Sequence, residues 1–177
     1  MKKTMHKIFW TWEFEKEEKW LNEMSAKGLQ LCDVGYCRYT FVEGTPGEYL
    51  YRLELLDYWP TNDKSREYIG FMEDTGAEYI GALFRWVYFR KKAEASGFDL
   101  FSDIDSRLKH LDRILLLAGI LFGLMLFNAI NSILNLCDAK NMFIGYICCA
   151  VALLIGYGFF RLLFKRRKLK KEKLLYE

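Results

Sequence analysis

The chain has 177 residues, 52% hydrophobic and 28% charged, with a net charge of +3. These averages hide a division, because residues 1–92 carry 14 Lys and Arg against 15 Asp and Glu while residues 161–177 carry 8 against 2, and long uncharged runs lie between them. That pattern excludes a uniformly water-soluble chain, leaves material for one small globular domain, and gives that domain no basic excess of the kind nucleic-acid binding needs.

The first residues, Met1-Lys-Lys-Thr, look like a secretory leader, but charges return at Glu13 before an adequate apolar core can form. Alternation of Ile8, Trp10 and Trp12 with Lys7, Phe9 and Thr11 predicts a first strand over residues 6–12. Residues 13–27 then change to helical periodicity, with acids in the first turn, an apolar stripe of Phe14, Trp20, Leu21 and Met24, and Gly28 as the left-handed stop. Residues 29–43 predict a second strand bent near Gly35. Gly44-Thr-Pro-Gly47 turns the chain into a third strand over residues 48–58, so that strands two and three form a hairpin. Asn62 or Asp63 caps a second helix running to about Thr75, with Tyr68, Ile69 and Met72 on its buried face and Gly76 as its stop. Residues 78–91 predict a fourth strand. The order βαββαβ, with two right-handed crossovers, is the ferredoxin-like plan: an α+β domain over residues 1–92 with both helices on one face of a four-stranded sheet.

Residues 93–113 predict a linker followed by an amphipathic helix on the membrane surface, built on Ile104, Leu108 and Leu111. Residues 114–137 and 141–160 contain no Lys, Arg, Asp, Glu or His, and each run is long enough to cross about 30 Å of hydrocarbon as a helix. The eight basic residues from Arg161 to Lys173, against the single Lys140 between the runs, predict a transmembrane hairpin with both termini in the cytoplasm. Residues 161–177 form a basic cytoplasmic tail held by anionic lipid headgroups. The localisation expected is therefore the cell membrane, as a multi-pass protein.

No motif commits the chain to a reaction. Cys32 and Cys37 have the spacing of half a metal site without a second half, so buried thiols are the better reading, and neither a metal nor a cofactor is expected. Glu13, Glu15, Glu17, Glu18 and Glu23 crowd the first helix among Lys16 and Lys19, which predicts a solvated face rather than an acid–base pair. His6 and His110 stand alone. The predicted strands are rich in aromatic residues, and a sheet covered by helices on one side only would leave some of those rings outward or against a partner. Tyr36, Arg38, Arg52, Arg85 and Trp86 are accordingly the candidate ligand- or partner-binding residues. The third strand lacks the pattern of an RNA-recognition module, and no nucleic acid is expected as a partner. In the first apolar run Gly119 and Gly123 form a small-xxx-small pair, while Asn128, Asn131 and Asn135 make a separate stripe. One of these faces receives the second helix; the other is free for a second copy or another membrane protein.

The string Glu15-Lys-Glu-Glu-Lys-Trp-Leu-Asn-Glu-Met-Ser-Ala-Lys-Gly28-Leu, the later Phe84-Arg-Trp-Val-Tyr-Phe-Arg-Lys91, and the hydrophobic hairpin together resemble the bacterial domain-of-unknown-function family 2812 (DUF2812). The resemblance implies a small membrane protein often encoded beside PadR-like transcriptional regulators, hence a partner in regulation or envelope stress. It implies no reaction and carries no functional residues. The expectation is a non-enzymatic, membrane-anchored sensory or regulatory accessory protein, or alternatively a structural subunit of a larger envelope or transport complex.

Overall fold

The computed structural model describes residues 2–93, 104–134 and 139–176. Two compact units divide the chain, Met1–Ser102 and Asp103–Glu177.

The N-terminal unit is α+β, with two three-stranded antiparallel sheets in place of the single four-stranded sheet expected. Its elements are β1 (Lys2–His6), a 3-10 turn (Thr11–Glu13), α1 (Phe14–Ala26), β2 (Leu29–Gly35), β3 (Arg38–Glu43), β4 (Tyr49–Leu55), α2 (Asp63–Asp74), β5 (Glu78–Leu83) and β6 (Trp86–Lys92). The sheet orders are β1-β3-β2 and β4-β6-β5. Each of the long runs 29–43 and 78–91 is therefore a hairpin. They fold at Tyr36-Cys37 and Phe84-Arg85, where Cys37 and Phe84 take positive φ of 52° and 56°. Hairpin turns ordinarily advertise themselves through Gly or Asn, and these two do not. The expected pairing of the second and third strands is also replaced, because β3 pairs with β1 and β2 while β4 pairs with β6. The first strand is the polar segment Lys2–His6, and the alternating residues after it lie in a connection.

The six strands and two helices are one βαββ module used twice. Gly28 and Gly76, 48 positions apart, end the two helices at φ of 78° and 85°. Leu31↔Phe41, Asp33↔Thr40 and Val34↔Tyr39 in the first hairpin become Tyr79↔Phe89, Gly81↔Tyr88 and Ala82↔Val87 in the second, with the same spacing. Both hairpins shift register at the equivalent residue, between Leu31 and Asp33 and between Tyr79 and Gly81. The inner faces correspond as well. Leu21, Met24, Leu31, Val34, Tyr39 and Phe41 pack in one core, and their counterparts Ile69, Met72, Tyr79, Ala82, Val87 and Phe89 pack in the other.

The two modules are not treated alike. The sheet of the second is covered on both sides, since Val87 and Phe89 meet α2 while Tyr51, Leu53 and Tyr88 join the core of α1. The helices thus lie on opposite faces of that sheet, not on one face. The first sheet buries the side bearing Tyr39 and Phe41 and, on the other, Gln30 opposite Val42. The rest of that other side, Lys2, Thr4, His6, Arg38, Thr40 and Val42, is exposed or half-buried, and none of it is aromatic. Edge strand β4 is closed by side chains of α1. Ser25 donates to the Tyr49 carbonyl (2.6 Å), Asn22 accepts from the Tyr51 amide (2.8 Å) and donates to its carbonyl (3.2 Å), and Glu18 accepts from the Leu53 amide (2.8 Å). Helix positions i, i+4 and i+7 thereby serve alternate residues of the strand, and an open sheet edge is satisfied without another strand.

The C-terminal unit is an antiparallel pair, α3 (Ile104–Leu134) and α4 (Ala139–Tyr176). The surface helix expected before the first apolar run is continuous with it, and the basic tail extends α4. Both helices are long and apolar enough to cross a membrane. At 1.5 Å per residue they reach about 46 and 57 Å, beyond the roughly 30 Å of a hydrocarbon core. The apolar stretch packs through glycines: a Cβ on Gly119 would stand 3.3 Å from Phe159, and Phe122 stacks on Phe159 over the gap left at Gly156. Beyond it, Asp112 pairs with Arg166 and Asp105 with Lys173 (2.8 Å), seven residues apart on each helix. Asn135 and Cys137 lie outside the described residues.

Candidate functional site

In the first module, β1 ends at His6 and β2 ends at Gly35, both opposite Arg38. In the second, Leu55 and Leu83 both lie opposite Trp86. Each strand-to-helix connection therefore emerges beside the hairpin turn of its own module. Phe14, at the start of α1, stacks on Trp86 (5.6 Å between centroids), which brings the loop ends of the two modules together.

That common end carries Ile8, Trp10, Tyr36, Tyr58, Trp59 and Phe84, all exposed. Among the described residues of the N-terminal unit, the one other exposed large hydrophobic is Phe71, on α2. Tyr36 and Phe84 are 79% and 63% exposed and occupy equivalent turn positions. Trp59 meets Phe84 edge-on (6.4 Å) and Trp10 stacks on Trp12 (5.3 Å). A shallow groove of about 450 Å³ runs beside Trp59, lined by Tyr58, Thr61, Asn62, Asp63 and Arg66. Asn62 caps α2 there by accepting from the Lys64 amide (3.1 Å). The opposite end of the unit is charged, with Lys27, Glu43, Glu73, Asp74, Glu78 and Lys92 exposed.

Of the residues singled out from sequence, Tyr36, Arg38, Arg85 and Trp86 belong to this end, and Arg52, in mid-strand opposite Phe89, does not. Their places are turns and strand ends rather than an open sheet face. Arg38 pairs with Asp33 (3.4 Å), Arg85 donates through Nε to the Leu56 carbonyl (2.8 Å), Arg52 donates to the Tyr51 carbonyl (3.0 Å), and Trp86 is half-buried under Phe14. In the helical pair the two glycines differ. Gly119 faces Phe159, whereas a Cβ at Gly123 would meet nothing within 4 Å. Asn128 donates to the Leu124 carbonyl of its own helix (2.8 Å), and Asn131 is exposed.

Sequence reasoning missed Glu17. Counted with the solvated acids of α1, it is in fact 7% exposed and accepts hydrogen bonds on one oxygen, Oε1, from Tyr39 and Tyr88, each at 2.7 Å. Burial pushes its carboxyl above the usual range, against the opposing pull of the two phenols, and burial beside Glu17 raises both phenols. The signal was present, since Glu17 stands three, four and seven residues from Phe14, Leu21 and Met24 and so lies on the apolar stripe. Glu54 on β4 is likewise buried, accepting from Tyr68 (2.6 Å). A further buried network joins Tyr51, which donates to Gln30 (3.0 Å) and accepts from the Leu31 amide (2.9 Å), to Gln30 donating to the Thr45 carbonyl (2.7 Å). These groups tie elements together across the two modules. Among the described residues, no three His, Cys, Asp or Glu side chains gather to hold a metal, and Cys32, Cys37, Cys148 and Cys149 are free thiols.

Residues 13–123 match the family model described as protein of unknown function (DUF2812), which is more than half of the chain. The chain belongs to the DUF2812 family. The matched span runs from Glu13, at the end of the 3-10 turn, through both hairpins, to Gly123 in α3. No curated protein and no solved structure matches the chain.

Proposed function

We propose that this DUF2812 protein is a membrane-anchored, non-enzymatic sensory or regulatory accessory, in which α3 and α4 cross the membrane as a hairpin and the N-terminal unit binds a partner or ligand. The observation that carries the reading is the collection of six exposed large apolar side chains at one end of a unit whose other end is charged. Isolated exposed apolar residues need no explanation; a gathered set marks a recognition surface. The buried polar groups are spent on holding the modules together, which favours binding over catalysis. The eight basic residues after the second apolar run support a cytoplasmic C-terminus and, with two crossings, a cytoplasmic N-terminus. A PadR-like regulator is the partner to which the family resemblance points.

Tag-accessibility mapping of the two termini tests the anchoring, and both are expected on the inner side. Photo-crosslinking from positions 36 and 59 in whole cells tests the recognition surface, with capture expected from these positions and not from position 73 at the charged end. The second reading, a structural subunit of a larger membrane complex, is favoured by the open space over Gly123 and would return one stoichiometric membrane partner on purification.

A further inference from the structure

We infer that the aromatic end of the N-terminal unit docks on a lipid surface, its rings lying in the lipid–water interface of the membrane that anchors the chain. This names the partner of the recognition surface and rests on the anchored reading above. Three features favour lipid. The first is the kind of side chain. Two tryptophans and two tyrosines stand among the six exposed residues, and such rings, apolar in body and polar at one tip, concentrate at bilayer interfaces. Lysines stand among them: Lys64 lies over the Tyr58 ring (5.5 Å) and Lys7 over those of Phe9 and Trp20 (4.8 and 4.7 Å), where aliphatic stems can stay with the rings while the ammonium groups meet headgroups.

The second is shape and polarity. The rings come from two connections and two turns, all at one end, and the groove beside them is shallow, so they present a broad surface rather than an enclosed pocket. Large apolar side chains gather at this end of the strands, where Asp33, Asp57 and Asp63 also stand beside Lys7, Lys64 and Arg66, whereas the opposite end exposes mainly charged residues. The third is proximity. The chain leaves the unit after Lys92, at the charged end, and residues 93–103 can span about 36 Å when extended, against roughly 23 Å for the length of β6, so the tether lets the aromatic end meet the same bilayer at a high effective concentration.

All five tryptophans, Trp10, Trp12, Trp20, Trp59 and Trp86, precede the apolar runs, so tryptophan emission of the full chain reports on this unit alone. The full-length protein is reconstituted into phosphatidylcholine–phosphatidylglycerol vesicles with acyl chains brominated near the headgroup. Expected is strong quenching relative to unbrominated vesicles, reduced at least twofold in the Tyr36→Asp/Phe84→Asp variant, which keeps every tryptophan and alters two exposed side chains. Circular dichroism and melting of the variant in detergent check its fold. Emission untouched by bromine but open to iodide from the water would overturn lipid docking and leave recognition of a soluble partner standing. Emission shielded from both would overturn it in favour of protein–protein association, and undiminished quenching in a folded variant would show approach by another face. The parent reading fails separately, if the chain stays in solution without amphiphile.

Discussion

Tyr88 of the second module donates to Glu17 of the first over 2.7 Å, joining residues 71 apart in the chain. Tyr39 shares the same acceptor oxygen, so one carboxyl holds α1, β3 and β6 at the meeting of the two sheets. Because the group is buried and titratable, the junction is sensitive to pH.

The sign follows from the raised carboxyl. An acid whose proton is held more tightly in the folded state lends its full stabilisation below its unfolded value, and that contribution is lost as pH rises through the folded value. Glu17→Gln keeps an acceptor for both phenols and removes the titration. In melts of the full chain in detergent, wild type should lose stability relative to the Gln variant as pH rises from about 4. Parallel profiles would mean that Glu17 does not titrate in this range. Glu17→Ala should lie about 3 kcal/mol below Glu17→Gln at every pH, because it also strands two buried hydroxyls.

The closure of β4 by α1 predicts a residue-specific exchange pattern. Asn22→Ala should release the amide of Tyr51, and Glu18→Ala that of Leu53, each with a stability loss of about 1–3 kcal/mol. Hydrogen exchange resolved by residue reads both. Equal loss at both amides in either variant would indicate general loosening instead of two separate caps.

Gly28 and Gly76 occupy equivalent helix stops, but their surroundings differ. A Cβ at Gly28 would stand 2.9 Å from the Gly44 carbonyl oxygen, while at Gly76 the nearest atom is Lys91 Cε at 3.7 Å. Gly76→Ala should therefore cost only the strain of positive φ, about 1 kcal/mol. Gly28→Ala should cost at least about 2 kcal/mol, since a backbone atom must also move. Chemical denaturation compares them, and equal losses would discount the clash.

In the helical hairpin, Gly119→Leu should push against Phe159 and destabilise the pair by about 1–3 kcal/mol. Gly123→Leu should leave the pair folded, because its side chain enters open space. If self-association uses the faces bearing Gly123 and Asn131, Gly123→Leu and Asn131→Leu should each lower the oligomeric state in detergent as measured by light scattering. An unchanged mass would assign those faces to lipid.

Much of this protein is written locally in its sequence. The Gly-terminated helices, the Asn62 cap and the two long apolar helices follow from periodicity, capping chemistry and run length, which depend on near neighbours alone. Tertiary structure decided the rest. The turns at Tyr36-Cys37 and Phe84-Arg85 carry no glycine, so the hairpins become visible only through the pairing that compensates their positive φ. The βαββ repeat is hidden because few side chains recur at the 48-residue spacing, although registers and bulges do. Glu17 appears as one acid among several until Tyr39 and Tyr88 arrive from distant strands. The aromatic end exists only because four segments, far apart in the chain, leave the sheets on the same side: hydrophobicity is a property of each residue, but its concentration into a surface is a property of the fold.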